Sequence, residues 1–272
     1  MIRRPLCALV VLLLFGCKAP PPEAPTDLGE LAVYLYREFD NPEPAAMAAG
    51  LRNLDEFLGA LEWTELDSSS SREGREWQLP VLAPEDRADL PEIEGASAED
   101  QLVVGVASRS VFGVSEHLPL VGMADQTPIE AASSASYDRD FLSELDCFVE
   151  GNCDQLRTLN TVHRDQLLLD IVYESFKDFR RFEADADAGT VLVARSWTED
   201  RFFGESGQNS IDQSYSLEVW LPRDEGALRF MTYWNQMTIP ALSDSNIVLN
   251  LMGAGMDEIY QNTEDFLAGE GD

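Results

Sequence analysis

Acid–base chemistry near neutral pH most often uses histidine, and this chain of 272 residues has two, His117 and His163. Neither belongs to a His-Glu-x-x-His pattern, and no Gly-x-Ser-x-Gly segment supplies the serine of a nucleophile elbow. The 50 acidic residues are candidate acids and bases, but nothing in the sequence selects among them. The sequence therefore favours a non-catalytic protein with a binding or structural role. The alternative is a hydrolase or another enzyme that uses carboxylates alone.

Three acidic residues, Glu183, Asp185 and Asp187, stand at alternate positions, as at the start of a calcium loop. Calcium usually needs a further bidentate carboxylate, and the twelfth position from Glu183 is Ala194. The simpler interpretation is a solvated turn between two strands. We expect no cofactor and no zinc site, since no pair of histidines has metal-ligand spacing.

The N-terminus has the most specific pattern in the chain. Arg3 and Arg4 precede an apolar run that ends in Leu14-Phe15-Gly16-Cys17. This segment resembles the lipobox signal peptide of bacterial lipoproteins. The resemblance implies that residues 1–16 are removed and that Cys17 is acylated. A plain secretory signal that leaves Cys17 unmodified is the alternative. The apolar run is too short to span a bilayer, which takes about 20 residues.

Residues 17–26 are rich in proline and predict an extended tether between the lipid and the body. The resemblance thus implies a cell-envelope protein that contacts the membrane through its N-terminal lipid. Lys18 occupies the position where lipoproteins retained at the inner membrane commonly have aspartate. This favours the outer membrane, on either its periplasmic or its surface side.

Cys147 and Cys153 are the cysteines that remain once the signal peptide is removed and Cys17 is acylated. In an exported protein such a pair is expected to form a disulfide. Gly151 and Asn152 allow the chain to turn between them. The spacing differs from the C-x2-C of redox and zinc sites.

The charge of the chain limits its partners. Its formal net charge is −31, which repels nucleic acid and anionic lipid head groups. Because 44% of the residues are hydrophobic, the chain can build a core. Beyond the membrane reached through the lipid, the remaining partners are an apolar small molecule or another envelope protein.

Residues 27–66 predict a helical hairpin. Asp27 and Glu30 have capping-box spacing, and apolar residues then recur at helical intervals up to Phe39. Pro44 opens a second helix with the same periodicity. We expect the apolar stripes to pack against each other or against the body; a partner-binding module is the alternative. The polar segment 68–74 is the expected boundary.

Residues 75–272 predict an α+β domain. We expect strands at Trp77–Leu82 and Leu102–Ala107 and a helix at Tyr137–Phe148, while Leu156–Phe182 is compatible with either. Three alternating runs within residues 191–234 predict an antiparallel meander, and Asn246–Leu267 predicts a closing helix. The fold is thus an N-terminal helical hairpin followed by an antiparallel sheet packed by a C-terminal helix. This element order is similar to START-like folds, which implies an enclosed apolar cavity.

Two sets of apolar side chains point to opposite faces of the meander. One set is expected to form core: Leu217, Val219, Phe230 and Trp234. Trp220 and Tyr233 alternate with these residues and are the candidates for a ligand-binding face. The alternative is that both faces are simply core.

Overall fold

The computed structural model describes residues 23–63, 75–166, 169–183, 189–242 and 244–269. Cys17, Asp185, Asp187 and the boundary segment 68–74 lie outside these ranges, so the expectations about them stay predictions. Within the described ranges, every helix is too short or too polar to cross a bilayer.

The N-terminal hairpin consists of helices α1 (Leu28–Arg37) and α2 (Pro44–Gly59). The Asp27 carboxylate caps α1 by accepting hydrogen bonds from the backbone N–H groups of Gly29 and Glu30, at 3.0 and 3.1 Å. Pro44 is the first residue of α2. A backbone N–H at this position would have no acceptor within the helix, so proline loses no hydrogen bond there. The predicted hairpin is confirmed.

The body contains a sheet whose paired strands are all antiparallel. The strands are β1 (Arg75–Trp77), β2 (Leu102–Ser110), β3 (Ser134–Phe141), β4 (Gln155–Gln166), β5 (Leu169–Glu183), β6 (Thr190–Trp197), β7 (Phe202–Phe203), β8 (Ser210–Arg223) and β9 (Gly226–Thr238). Their order in the sheet is β1-β2-β9-β8-β6-β5-β4-β3, and the short β7 pairs with β8 outside this path. The predicted meander is formed by β6, β8 and β9.

The described part of the body also contains the α-helices α3 (Val114–Val121), α4 (Leu145–Val149) and α5 (Ser245–Leu267). Helix α5 packs against β2 and buries Met256, Ile259 and Tyr260 against the sheet. It is the predicted closing helix, so the α+β class is confirmed together with the order of its parts.

The hairpin covers one face of the sheet. Leu31 and Leu35 of α1 and Leu54 of α2 share one core with the predicted buried set of the meander. That set is at most 1% exposed: Leu217, Val219, Phe230 and Trp234. The hairpin therefore packs on the body. The opposite face is covered by α3 and α5.

The helix predicted at Tyr137–Phe148 is wrong for most of its length. The segment forms the end of β3, a short connection and the beginning of α4. In β3 the inward residues are Tyr137 and Arg139, and the outward residues are Asp138 and Asp140. An arginine at an inward position hides the period-2 pattern, because arginine is normally expected on the surface. The described residues of the undecided segment Leu156–Phe182 belong to strands β4 and β5.

The expected disulfide is present. Cys147 and Cys153 are joined, with their Cα atoms 5.2 Å apart. Gly151 turns the chain between them at φ 79°, a conformation that glycine adopts without strain. In the chain-entropy view, closing this short loop contributes about 2 kcal/mol to stability.

Candidate ligand cavity

A partly open cavity lies between the sheet and its covering helices. Its floor is formed by β3, β5, β8 and β9, and its roof by α3, α5 and the segment 126–130. The cavity has a volume of about 60 Å³. This is room for roughly four to six water molecules at about 10–15 Å³ each. The space fits a short-chain molecule and is too small, as it stands, for a lipid with two acyl chains.

The walls combine apolar and polar side chains. The roof presents Leu120, Val121, Ile129 and Ile259, and the floor presents Phe179 and Met231. Polar side chains also line both the roof and the floor. A cavity with apolar walls and a few polar groups is the usual form of a small-molecule site.

Trp220 and Tyr233 both line this cavity. The sequence placed them on the second face of the sheet, and that face is covered rather than open to solvent. Trp220 is only 7% exposed. It lies directly across the β8–β9 ladder from Arg229, so the two side chains stand side by side on the cavity floor.

An ion pair crosses the cavity floor between β5 and β8. The ammonium of Lys177 donates to the Glu218 carboxylate at 2.5 Å. Both side chains are largely buried, at 11% and 8% exposure. The Lys177 ammonium also lies 5.3 Å from the centre of the Phe179 ring. Such a pair is costly to break, because removal of either partner leaves the other charge buried.

Two buried arginines also line the cavity, and neither forms an ion pair with a described carboxylate. Arg139 donates to the Asn160 side chain at 3.0 Å and to the Val121 carbonyl at 2.7 Å. The Nε and Nη1 atoms of Arg229 have no acceptor among the described atoms. Burial lowers the pKa of Arg229, and Tyr260, Glu264 and Glu218 partly counter this effect.

Ser110, His117 and Glu264 meet beside the cavity, but their geometry is not that of a catalytic triad. His117 Nδ1 donates to the Gly113 carbonyl at 3.0 Å, so no carboxylate orients the ring from that side. Both Ser110 Oγ and Glu264 lie on the Nε2 side, at 3.4 and 3.8 Å. Ser110 is fully buried. Ser110, His117 and Glu264 therefore connect the end of β2, helix α3 and helix α5.

Burial gives His117 a testable effect on stability. It lowers the pKa of the ring from 6.5 to about 3, and the charge of Arg229 adds to the shift. Between these values protons bind the unfolded chain but not the folded one, so stability falls as pH drops below 6.5. We expect wild type to lose about 2 kcal/mol more than His117→Gln between pH 7.5 and 5.0 in urea titrations.

His163→Gln is the matched control for this experiment, because its ring lies on β4 at the surface and pairs with Asp170. This variant keeps the buried His117 and is therefore expected to retain the additional loss of stability that His117 causes. Equal pH dependence in wild type and His117→Gln would contradict a neutral, buried His117.

Two carboxylates of the cavity wall form ion pairs, whereas Oε1 of the nearby Glu264 is buried with no hydrogen-bond partner among the described atoms. Glu218 pairs with Lys177, and Glu130 pairs with Arg164 at 3.4 Å. Burial raises the pKa of Glu264, whose Oε2 accepts from the Val111 N–H at 3.2 Å. This arrangement gives no specific support to the carboxylate-dependent enzyme.

Of the three acidic residues considered for calcium, only Glu183 is described, and its side chain is exposed at the end of β5. No group of three or more His, Cys, Asp or Glu side chains forms a metal cluster within the described ranges. The calcium hypothesis gains no second ligand from the described part of the chain.

Sequence reasoning missed five charged residues of the cavity: Glu130, Arg139, Lys177, Glu218 and Arg229. Two signals were available. Lys177 is one of only two lysines in the chain, and it stands among aromatic residues. Arg229 and Met231 lie on one face of their strand, opposite Leu228 and Phe230. If that face were exposed, a polar residue would be expected in place of Met231 as well.

No protein-family model and no curated protein sequence matches this chain. Among solved structures, it is similar to a STAR-related lipid transfer protein fragment from Xanthomonas axonopodis, with 9% identity, TM-score 0.43, and coverage of 65% of this chain and 90% of that one. It is also similar to human StAR-related lipid transfer protein 5, with 8% identity, TM-score 0.42, and coverage of 62% of this chain and 77% of that one. A protein from Thermus thermophilus has 13% identity and TM-score 0.41, with coverage of 62% of this chain and 98% of that one. At these scores the likeness is one of general shape and assigns no ligand.

Proposed function

We propose that this chain is a non-catalytic, lipid-anchored envelope protein that binds a small, largely apolar molecule in its cavity. The observation that carries the proposal is the cavity itself. It lies between the sheet, α3 and α5, and both candidate ligand-face residues, Trp220 and Tyr233, lie in its wall. The volume limits the ligand to a short chain or a single small ring.

Binding of straight-chain alcohols to the purified full chain tests this proposal. We expect 1-hexanol to bind at one site with Kd on the order of 0.1–1 mM, the range for a ligand of so few atoms. Ile259→Trp is expected to abolish this binding, because Ile259 lines the cavity from α5 and the larger ring would fill it. Isothermal titration calorimetry measures both effects.

Leu251→Trp is the matched control for this experiment. Leu251 lies on the same helix but is 54% exposed, so the substitution adds the same ring outside the cavity. We expect this variant to bind 1-hexanol as wild type does. If wild type shows no saturable binding, or if Ile259→Trp folds and still binds normally, the proposed site is wrong.

The lipid anchor is supported by the Leu14-Phe15-Gly16-Cys17 segment and by the proline-rich tether that follows. We expect the mature protein to begin at Cys17 and to partition into the detergent phase. Cys17→Ser should shift it to the aqueous phase and remove the acyl mass from the intact-mass spectrum. Cys147→Ser controls for the loss of a cysteine elsewhere. Identical partitioning of wild type and Cys17→Ser would contradict the anchor.

A further inference from the structure

We propose that the cavity ligand carries an acidic group, such as a carboxylate, and that Arg229 and Trp220 bind this group. The inference rests on the proposed function and specifies the chemistry of the ligand. It is carried by hydrogen-bond donors that are buried in the cavity wall and have no protein acceptor within the described ranges.

Arg229 is the first part of this subsite. Its side chain is 4% exposed, and both Nε and Nη1 lack an acceptor among the described atoms. The guanidinium lies 4.4 Å from the centre of the Tyr260 ring and 5.7 Å from that of Trp220, so its faces rest on aromatic rings. Aromatic faces hold the cation but accept no strong N–H hydrogen bond. The N–H groups are therefore left to pair with a ligand oxygen.

Trp220 supplies another donor on the same side of the sheet. Its indole Nε1 is buried and has no acceptor in the described part of the chain. Trp220 and Arg229 are directly opposed across β8 and β9, so they occupy one place on the cavity floor. A carboxylate offers two oxygens and about four lone-pair directions, enough to accept from both residues.

The charge of the cavity wall also favours an anion. The wall contains three basic residues, Arg139, Lys177 and Arg229, against two acidic ones, Glu130 and Glu218. Lys177 and Glu218 neutralise each other, and Glu130 is paired with Arg164. Arg139 and Arg229 thus leave an excess of positive charge inside a chain whose formal net charge is −31. A buried cation is strongly stabilised by a counter-charge.

Carboxylates near Arg229 do not already fill this role. Glu264 and Glu218 act on it through space, but neither forms an ion pair with it. Glu264 accepts from the Val111 N–H through Oε2, and its buried Oε1 has no hydrogen-bond partner among the described atoms, Arg229 included. Glu218 binds the Lys177 ammonium. Arg229 is therefore a counter-ion site for a molecule that enters the cavity.

Two probes of equal chain length, hexanoate and 1-hexanol, test the inference at pH 7.5 and physiological salt. Wild type is expected to bind hexanoate at least tenfold more tightly than 1-hexanol. Arg229→Met keeps a long side chain but removes the charge, so it should lose this preference and still bind 1-hexanol. Trp220→Phe keeps an aromatic ring but removes the N–H, and should weaken hexanoate binding severalfold more than it changes 1-hexanol binding.

Arg52→Met is the control for the loss of one positive charge, because Arg52 is exposed on α2 on the other side of the sheet. It should retain the preference for hexanoate. Equal affinity of wild type for the two probes, or an unchanged preference in Arg229→Met, overturns the inference while the cavity remains a binding site. If neither probe binds, the proposed function itself fails.

Discussion

Trp234→Ala is expected to lower the free energy of unfolding by about 3–5 kcal/mol, the usual cost of truncating a buried aromatic residue. Trp234 is fully buried in the core between the sheet and the hairpin. Its ring meets Tyr36 of α1 edge-on at 5.4 Å, and its Nε1 donates to the Pro80 carbonyl at 2.9 Å. The substitution removes all of these contacts at once. Denaturant titration measures the loss.

Trp220→Ala provides the comparison, because it removes the same side chain from the other face. Trp220 borders the cavity and its Nε1 has no described acceptor, so a smaller loss is expected. A loss at Trp220 equal to that at Trp234 would mean that the cavity wall is packed as tightly as the hairpin core.

Lys177→Met is expected to cost about 3–5 kcal/mol, because it leaves the Glu218 carboxylate buried without its partner. Lys177→Met combined with Glu218→Gln removes both charges and should recover much of the loss. Equilibrium unfolding of the two variants and wild type measures the coupling between the residues.

Lys177→Met alone would have almost no effect if Glu218 were hydrated rather than held by Lys177. In that case the double variant would be no more stable than the single variant. Either result would contradict a buried ion pair on the cavity floor.

The parts of the fold that follow simple periodicity were predictable from the sequence. The hairpin has apolar residues at helical spacing and a capping Asp27, and the structure forms it as expected. The meander alternates apolar and polar residues, and its buried set was identified correctly. Each hairpin helix has one apolar face, which fixes its orientation. In the meander both faces are buried, and the period of two separated the residues of one face from those of the other.

The cavity was not predictable, because it depends on polar residues that point inward. Arg139 on β3 and Arg229 on β9 are both buried, against the normal placement of arginine. The buried Arg139 obscured the alternating pattern of β3, so a helix was predicted there instead. The buried Arg229 was not recognised as part of a binding site. The partners that make these positions tolerable, such as Asn160 on β4 and Tyr260 on α5, are distant in sequence.

Helix α5 covers the second face of the sheet and thereby forms one wall of the cavity. Tyr260 of α5 donates to the Val106 carbonyl on β2 at 3.2 Å, and Asn262 donates to the Glu130 carbonyl in the roof. These contacts hold α5 over the sheet at one side of the cavity. The cavity therefore exists only while α5 is docked, so ligand binding and α5 docking are expected to be coupled.

The central claim, that a ligand occupies the space between α5 and the sheet, is tested most directly by intermolecular NOEs. We expect the methylene protons of bound hexanoate to show NOEs to the methyl groups of Ile259 on α5 and Met231 on β9 in methyl-labelled protein. Leu217 on the hairpin face should show none. NOEs confined to exposed residues such as Leu251 or Phe203 would place the ligand outside the cavity and contradict the account.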